Sequence, residues 1–171
     1  MNEQPGDSSL SLFTKALALH QSGKADVAIP LYRARLASAP DHLSCLQLLG
    51  AALYQTGRAE AGARAIARVA AILPGTAQLH SNLSLALLAC AAYGQALRHA
   101  VTAVVLDPLA SDYRVNLVLA LQEARRFEEA ESWAHRTLAA EPGLVAALSA
   151  LGRHSAGRAA TRRPAESWCR R

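Results

Sequence analysis

The sequence predicts an all-α fold made of antiparallel helix pairs repeated in tandem. Three observations predict it. Hydrophobic residues make up 51% of the chain and aromatics only 5%, with Ala and Leu dominant, a mixture that loses little side-chain freedom in a helix. Pro40, Pro74, Pro108 and Pro142 recur at a constant interval of 34 residues. Between those prolines, large and small residues return in one order: Leu46, Leu49-Gly50, Leu53, Gly62 and Ile66, then His80, Leu83-Ser84, Leu87, Ala96 and Ala100, then Arg114, Leu117-Val118, Leu121, Ala130 and Ala134.

The elements follow in order. Helices are expected over 10–22 and 25–38, 43–56 and 59–72, 77–90 and 93–106, 111–124 and 127–140, with a last one over 145–157. Each proline closes a second helix, because the residue before proline is pushed out of the helical region. Gly23 and Gly57 mark the turn inside the first two pairs, where an unusual backbone angle is needed. The later pairs lack that glycine, and Tyr93 and Phe127 fall at the start of their second helices. Leu49 with Leu53, Leu83 with Leu87 and Leu117 with Leu121 stand four apart and form one buried stripe per first helix. Ala16, Gly50 and Ser84 on first helices, and Ala28, Gly62, Ala96 and Ala130 on second helices, let the partners approach closely. Pro30 lies within the second helix and removes one early hydrogen bond.

A 34-residue helix pair closed by proline resembles the tetratricopeptide repeat. The resemblance covers residues 9–152 and implies a right-handed α-solenoid: repeats at 9–42, 43–76, 77–110 and 111–144, and a partial fifth at 145–157. Residues 1–8 are expected to be disordered, and so is the Arg-rich segment 158–171. Stacked repeats of this kind bury a continuous core and bind partners on the surface their first helices line.

By the same resemblance, the groove is lined by Gln47 and Tyr54 in the second repeat and by Gln78, Asn82 and Leu85 in the third. In the fourth it is lined by Asn116, Leu119 and Gln122. His20, Gln55 and Ser81 fall at positions that face the same groove. This lining is amide-rich and nearly uncharged. It lacks the basic cluster with which chaperone-binding members grip a C-terminal carboxylate, which argues against a co-chaperone role. Asn82 and Asn116 occupy the same place in successive repeats. An amide offers donors and an acceptor, so such a ladder suits peptide backbone, and it resembles the groove of O-linked N-acetylglucosamine transferases. The alternative is that both are solvated helix positions.

The expected function is therefore a non-catalytic adaptor that takes an extended peptide or partner helix. Two alternatives stand beside it. The Ala-rich wording of repeats two to four is similar to the arrays preceding bacterial O-linked N-acetylglucosamine transferase-like domains. No such domain follows before Arg171, so the chain reads as a short adaptor or as a truncated, substrate-recruiting relative. A self-assembling scaffold is the other, because the stretch Leu144 to Leu151 is apolar around much of its girth and would pair with another copy.

Charge and composition exclude other classes. The formal charge is +5, but all of it lies in residues 152–171, where six arginines face Glu166. The remainder is neutral, so the high pI is no argument for a nucleic-acid-binding body. The polar start MNEQPGDSS lacks the features of a secretory signal. The longest apolar run, Leu85 to Tyr93, is far short of the ~20 residues a span needs, and a cytoplasmic location is expected. Cys45, Cys90 and Cys169 form no CxxC pair, and six histidines show no metal-ligand spacing. No phosphate-binding or nucleophile motif is present. No cofactor, metal or catalytic residue is expected.

Overall fold

A computed structural model describes residues 5–144 of the chain, with side chains from residue 11 onward. Eight α-helices follow one another: α1 Pro5–Gln21, α2 Ala25–Ser38, α3 Leu43–Gln55, α4 Ala59–Ile72, α5 Ala77–Ala89, α6 Tyr93–Leu106, α7 Ser111–Glu123 and α8 Phe127–Ala140. A single 3₁₀ turn, Pro142–Leu144, comes after them. The expected helix over 145–157, with its apolar surface for a second copy, and the Arg-rich segment lie outside the described residues, as does Cys169.

Seven of the eight helices begin and end within a residue of the positions read from sequence. The exception is α1, which starts at Pro5, so residues 5–8 are helical where disorder was expected. Pro30 stands exposed inside a continuous α2.

Local chemistry sets the helix ends. Ala39, Leu73, Asp107 and Glu141 each precede a repeat proline and have left the helical region, with φ of −147°, −120°, −141° and −139°. The turn inside each pair is a Schellman motif. In the first pair Lys24 N donates to Leu19 O at 2.9 Å and Gly23 N to His20 O at 3.0 Å; the other three repeat it around Gly57, Ala91 and Arg125. Gly23 and Gly57 have φ of 79° and 78°, and Ala91 and Arg125 adopt the same left-handed turn at 57° and 62°. The turn is thus common to all four pairs, with or without glycine.

The described residues belong to two compact units, one ending at Leu73 and one beginning at Pro74. In the first, α1 packs on α2 and α3 on α4, while α2 and α1 both meet α3. Its core gathers Ala25, Ala28, Ile29 and Tyr32 from one stripe of α2 against Ala16, Cys45, Leu49, Ala52 and Leu53. The two glycines of the second pair let α3 and α4 touch. A Cβ on Gly62 would meet Gly50 O at 2.7 Å, and one on Gly50 would meet Ile66 Cγ1 at 2.5 Å.

The second unit repeats the arrangement with α5 on α6, α7 on α8, and α7 against both α6 and α5. Where the first unit has glycines, Ser84 is fully buried and donates its hydroxyl to Ala96 O at 2.9 Å. A buried hydroxyl needs such a partner. Leu79, Leu83, Leu87, Leu117, Val118 and Leu121 fill the core with the small residues of α6. Each such leucine contributes about 1.5–3 kcal/mol of apolar burial.

Candidate functional site

The residues expected to line a groove fall on the first helices of the pairs, α3, α5 and α7. In the second unit, α5 and α7 lie side by side and are joined by polar side chains. Asn116 Nδ2 donates to Ser81 Oγ at 2.8 Å. The Tyr113 hydroxyl donates to Gln78 Oε1 at 3.2 Å, and Gln78 Nε2 donates onward to Asn82 Oδ1 at 2.9 Å. In the first unit, α1 and α3 are joined in the same way by His20 Nε2 and Gln55 Oε1 at 3.0 Å.

All three interhelix bonds connect residues 35 apart. That is one more than the repeat length, so within each unit the two first helices meet with an offset of one residue. The offset is why Asn82 and Asn116, 34 apart, do not hydrogen-bond each other: each bonds a different neighbour instead. Among the described residues, the Asn82 amide keeps its NH2 unused and the Asn116 amide keeps its carbonyl unused.

Around these amides, Leu85 and Leu119 are half-buried, as is Gln122, whose Oε1 is buried and meets no hydrogen-bond partner. Gln47 and Tyr54 are half-buried in the first unit, and their side chains make no hydrogen bond among the described residues. The sequence did not single out Tyr113; its spacing of 35 from Gln78 is the signal that would have found it.

The histidines are placed by structural needs. His20 Nδ1 accepts from the buried Tyr32 hydroxyl at 3.2 Å while its Nε2 donates to Gln55. Burial, and secondarily Cys45, pushes the Tyr32 phenol up to about 12. Burial raises the Cys45 thiol as well, which keeps it protonated. His80 is 8% exposed and stacks on His99 with ring centroids 5.2 Å apart. Its Nε2 donates to Pro74 O at 2.9 Å. In the neutral ring Nδ1 is then an acceptor, facing His99 Nδ1 at 2.9 Å. Burial, then His80, then Arg98 lower the His99 pKa from 6.5.

Among the described residues, no group of three His, Cys, Asp or Glu side chains could hold a metal ion. No described helix is long and apolar enough to cross a membrane.

No family model matches the chain, and no curated protein matches it. Solved structures do. MamA (residues 41 to the end) from Desulfovibrio magneticus RS-1 superposes with a TM-score of 0.75 at 20% identity, covering 80% of this chain and 77% of that one. TTC0263, a thermophilic TPR protein of Thermus thermophilus, superposes with a TM-score of 0.71 at 21% identity, covering 88% and 84%. The fold is the tetratricopeptide repeat. MamA MSR-1 agrees, with a TM-score of 0.72 at 20% identity over 90% of this chain and 91% of that one. The tetratricopeptide fold, an all-α helical-repeat solenoid, accounts for the Pro-closed helix pairs and for the seams between first helices.

Proposed function

We propose that this tetratricopeptide chain is a protein-interaction module without a catalytic step of its own, and that it holds an extended peptide along the seam between α5 and α7. The observation behind this reading is the pair of unused amide groups. The NH2 of Asn82 and the carbonyl of Asn116 offer one donor and one acceptor, which is what a single backbone peptide unit requires. The hydrogen bonds to Gln78 and Ser81 hold the two amides in place, so little side-chain freedom is lost on binding. Leu85 and Leu119 supply adjoining half-buried apolar surface. Gln47 and Tyr54 are the corresponding candidates in the first unit.

Site-specific photo-crosslinking tests this. A photoreactive amino acid at Leu119 should capture a partner peptide, and the Asn82→Ala/Asn116→Ala protein should bind that peptide roughly tenfold more weakly, the size of two backbone hydrogen bonds at about 0.5–1.5 kcal/mol each. Unchanged affinity in a double variant that still melts cooperatively would refute the reading.

A further inference from the structure

The first unit carries an open cleft of about 440 Å³ between α2 and α4, with α3 beneath it. Its floor is Leu46, Leu49 and Leu53, and its rim is Arg33, Arg64 and Arg68. The leucines are buried by their own packing and the three arginines are exposed. No acidic side chain lines the cleft. Arg33 and Arg68 form no ion pair among the described residues. The chain outside its C-terminal segment is neutral in sum, yet folding brings three of its cations to one place. Arg64 and Arg68 stand four apart on α4, an arrangement that is mildly unfavourable on an isolated helix, and Arg33 joins them from α2.

The chemistry of an occupant follows from magnitudes. An exposed guanidinium–carboxylate pair strengthens binding by about fivefold at most, so a lone small anion is not retained. Several carboxylates on one backbone engage the rim together, and their contributions multiply. An inorganic anion would also leave the half-buried apolar lining of Leu36, Ala61 and Ala65 uncovered, whereas a large apolar side chain covers it.

We propose that this cleft docks an acidic peptide segment of a partner protein, its carboxylates on Arg33 and Arg68 at the rim and one large apolar side chain against Leu36, Ala61 and Ala65. This site is independent of the α5–α7 seam and uses the opposite recognition chemistry, charge and apolar shape in place of backbone amides.

The test is fluorescence anisotropy on the full chain with a short labelled peptide of alternating Glu and Leu. Two twins serve as controls, one with Gln for every Glu and one with Ala for every Leu. The Glu–Leu peptide should bind, weaken as salt is raised, and exceed both twins by about tenfold. Arg33→Glu/Arg68→Glu should lose about tenfold in affinity with an unchanged thermal melt, since both side chains are exposed. The factor by which Arg33→Glu/Arg68→Glu lowers affinity should be the same with and without Asn82→Ala, which separates this site from the seam. Equal binding of the Gln twin, full binding by the charge-reversed variant, or equal competition by inorganic phosphate would overturn the proposal. So would self-association, read by light scattering, that vanishes in the charge-reversed variant: it would assign the cleft to a second copy, whose α8 begins with exposed Phe127, Glu128 and Glu129.

Discussion

Asn116 donates its side-chain NH2 to the hydroxyl of Ser81 at 2.8 Å, across two helices that are neighbours in space and one repeat apart in sequence. Ser81 is 2% exposed, so its hydroxyl has little access to water. Asn116→Ala removes the donor and should destabilise the protein by about 1 kcal/mol, the usual net worth of such a bond. Ser81→Ala should cost less, because the half-buried Asn116 amide can turn toward solvent. A double-mutant cycle followed by urea unfolding should report a coupling of about 0.5–1 kcal/mol. Additive effects would show that the contact contributes nothing of its own.

The left-handed turns make a second prediction. Ala91 has φ of 57°, the conformation that Gly23 and Gly57 supply without strain. For a residue with a Cβ that angle costs about 1–2 kcal/mol, and glycine returns part of the gain as unfolded-chain entropy. Ala91→Gly should therefore raise stability by about 0.5–1 kcal/mol, and Gly57→Ala should lower it by a similar amount. Arg125→Gly should gain less, since Arg125 also lies over the Phe127 ring at 5.5 Å. Urea midpoints of the three variants give the order.

Those turns also mark where sequence and structure part. The helix ends were legible because their causes are local: proline at 40, 74, 108 and 142 acts on the residue before it, and Gly23 and Gly57 announce their turns directly. At Ala91 and Arg125 the same turn is imposed by the packing of the pair, so the residue gives no sign of it. The amides of α5 and α7 were visible as residues but not as a network. Their partners depend on the one-residue offset between first helices, which is a tertiary quantity. The same holds for His80 with His99, joined across α5 and α6, and for the arginine-rimmed cleft, whose cations come from two helices of a stretch that sums to zero charge. The N terminus was read as disordered from its polar composition, and α1 extends into it because a helix already anchored downstream lengthens at little cost.

The histidine pair should make stability depend on pH. The folded-state pKa of His99 lies below the 6.5 of a free imidazole, through burial first and then through His80 and Arg98. The unfolded chain therefore takes up a proton before the folded one. Stability from this group is complete above about pH 6.5 and declines as pH falls from there toward the lowered folded value. Thermal melts at about pH 7.5 and about pH 5.5, on either side of the free imidazole value, should show a lower midpoint at the acid pH. His99→Gln should reduce the difference. An equal difference in the variant would place the acid sensitivity elsewhere.

The close approach of α3 and α4 sets the last expectation. On helix propensity alone, Gly62→Ala should stabilise α4 by up to about 1 kcal/mol. The structure opposes this, because the new Cβ would meet Gly50 O at 2.7 Å and Tyr54 N at 3.1 Å, both backbone atoms that cannot step aside singly. Separating the helices disturbs the contacts of buried Ile66 and Leu53 as well, and overpacking of that kind costs about 1–3 kcal/mol. The steric cost exceeds the propensity gain, so Gly62→Ala should be net destabilising. Gly50→Ala meets the near end of the buried, β-branched Ile66 side chain at 2.5 Å and Gly62 O at 3.1 Å, so it too should be net destabilising. Gly94 lies in α6 with nothing within 4 Å of an added Cβ, so Gly94→Ala should be neutral or stabilising. Urea midpoints with Gly94→Ala above both Gly50→Ala and Gly62→Ala would establish that helix contact decides the sign. A stabilising Gly62→Ala would mean that α3 and α4 can separate without loss.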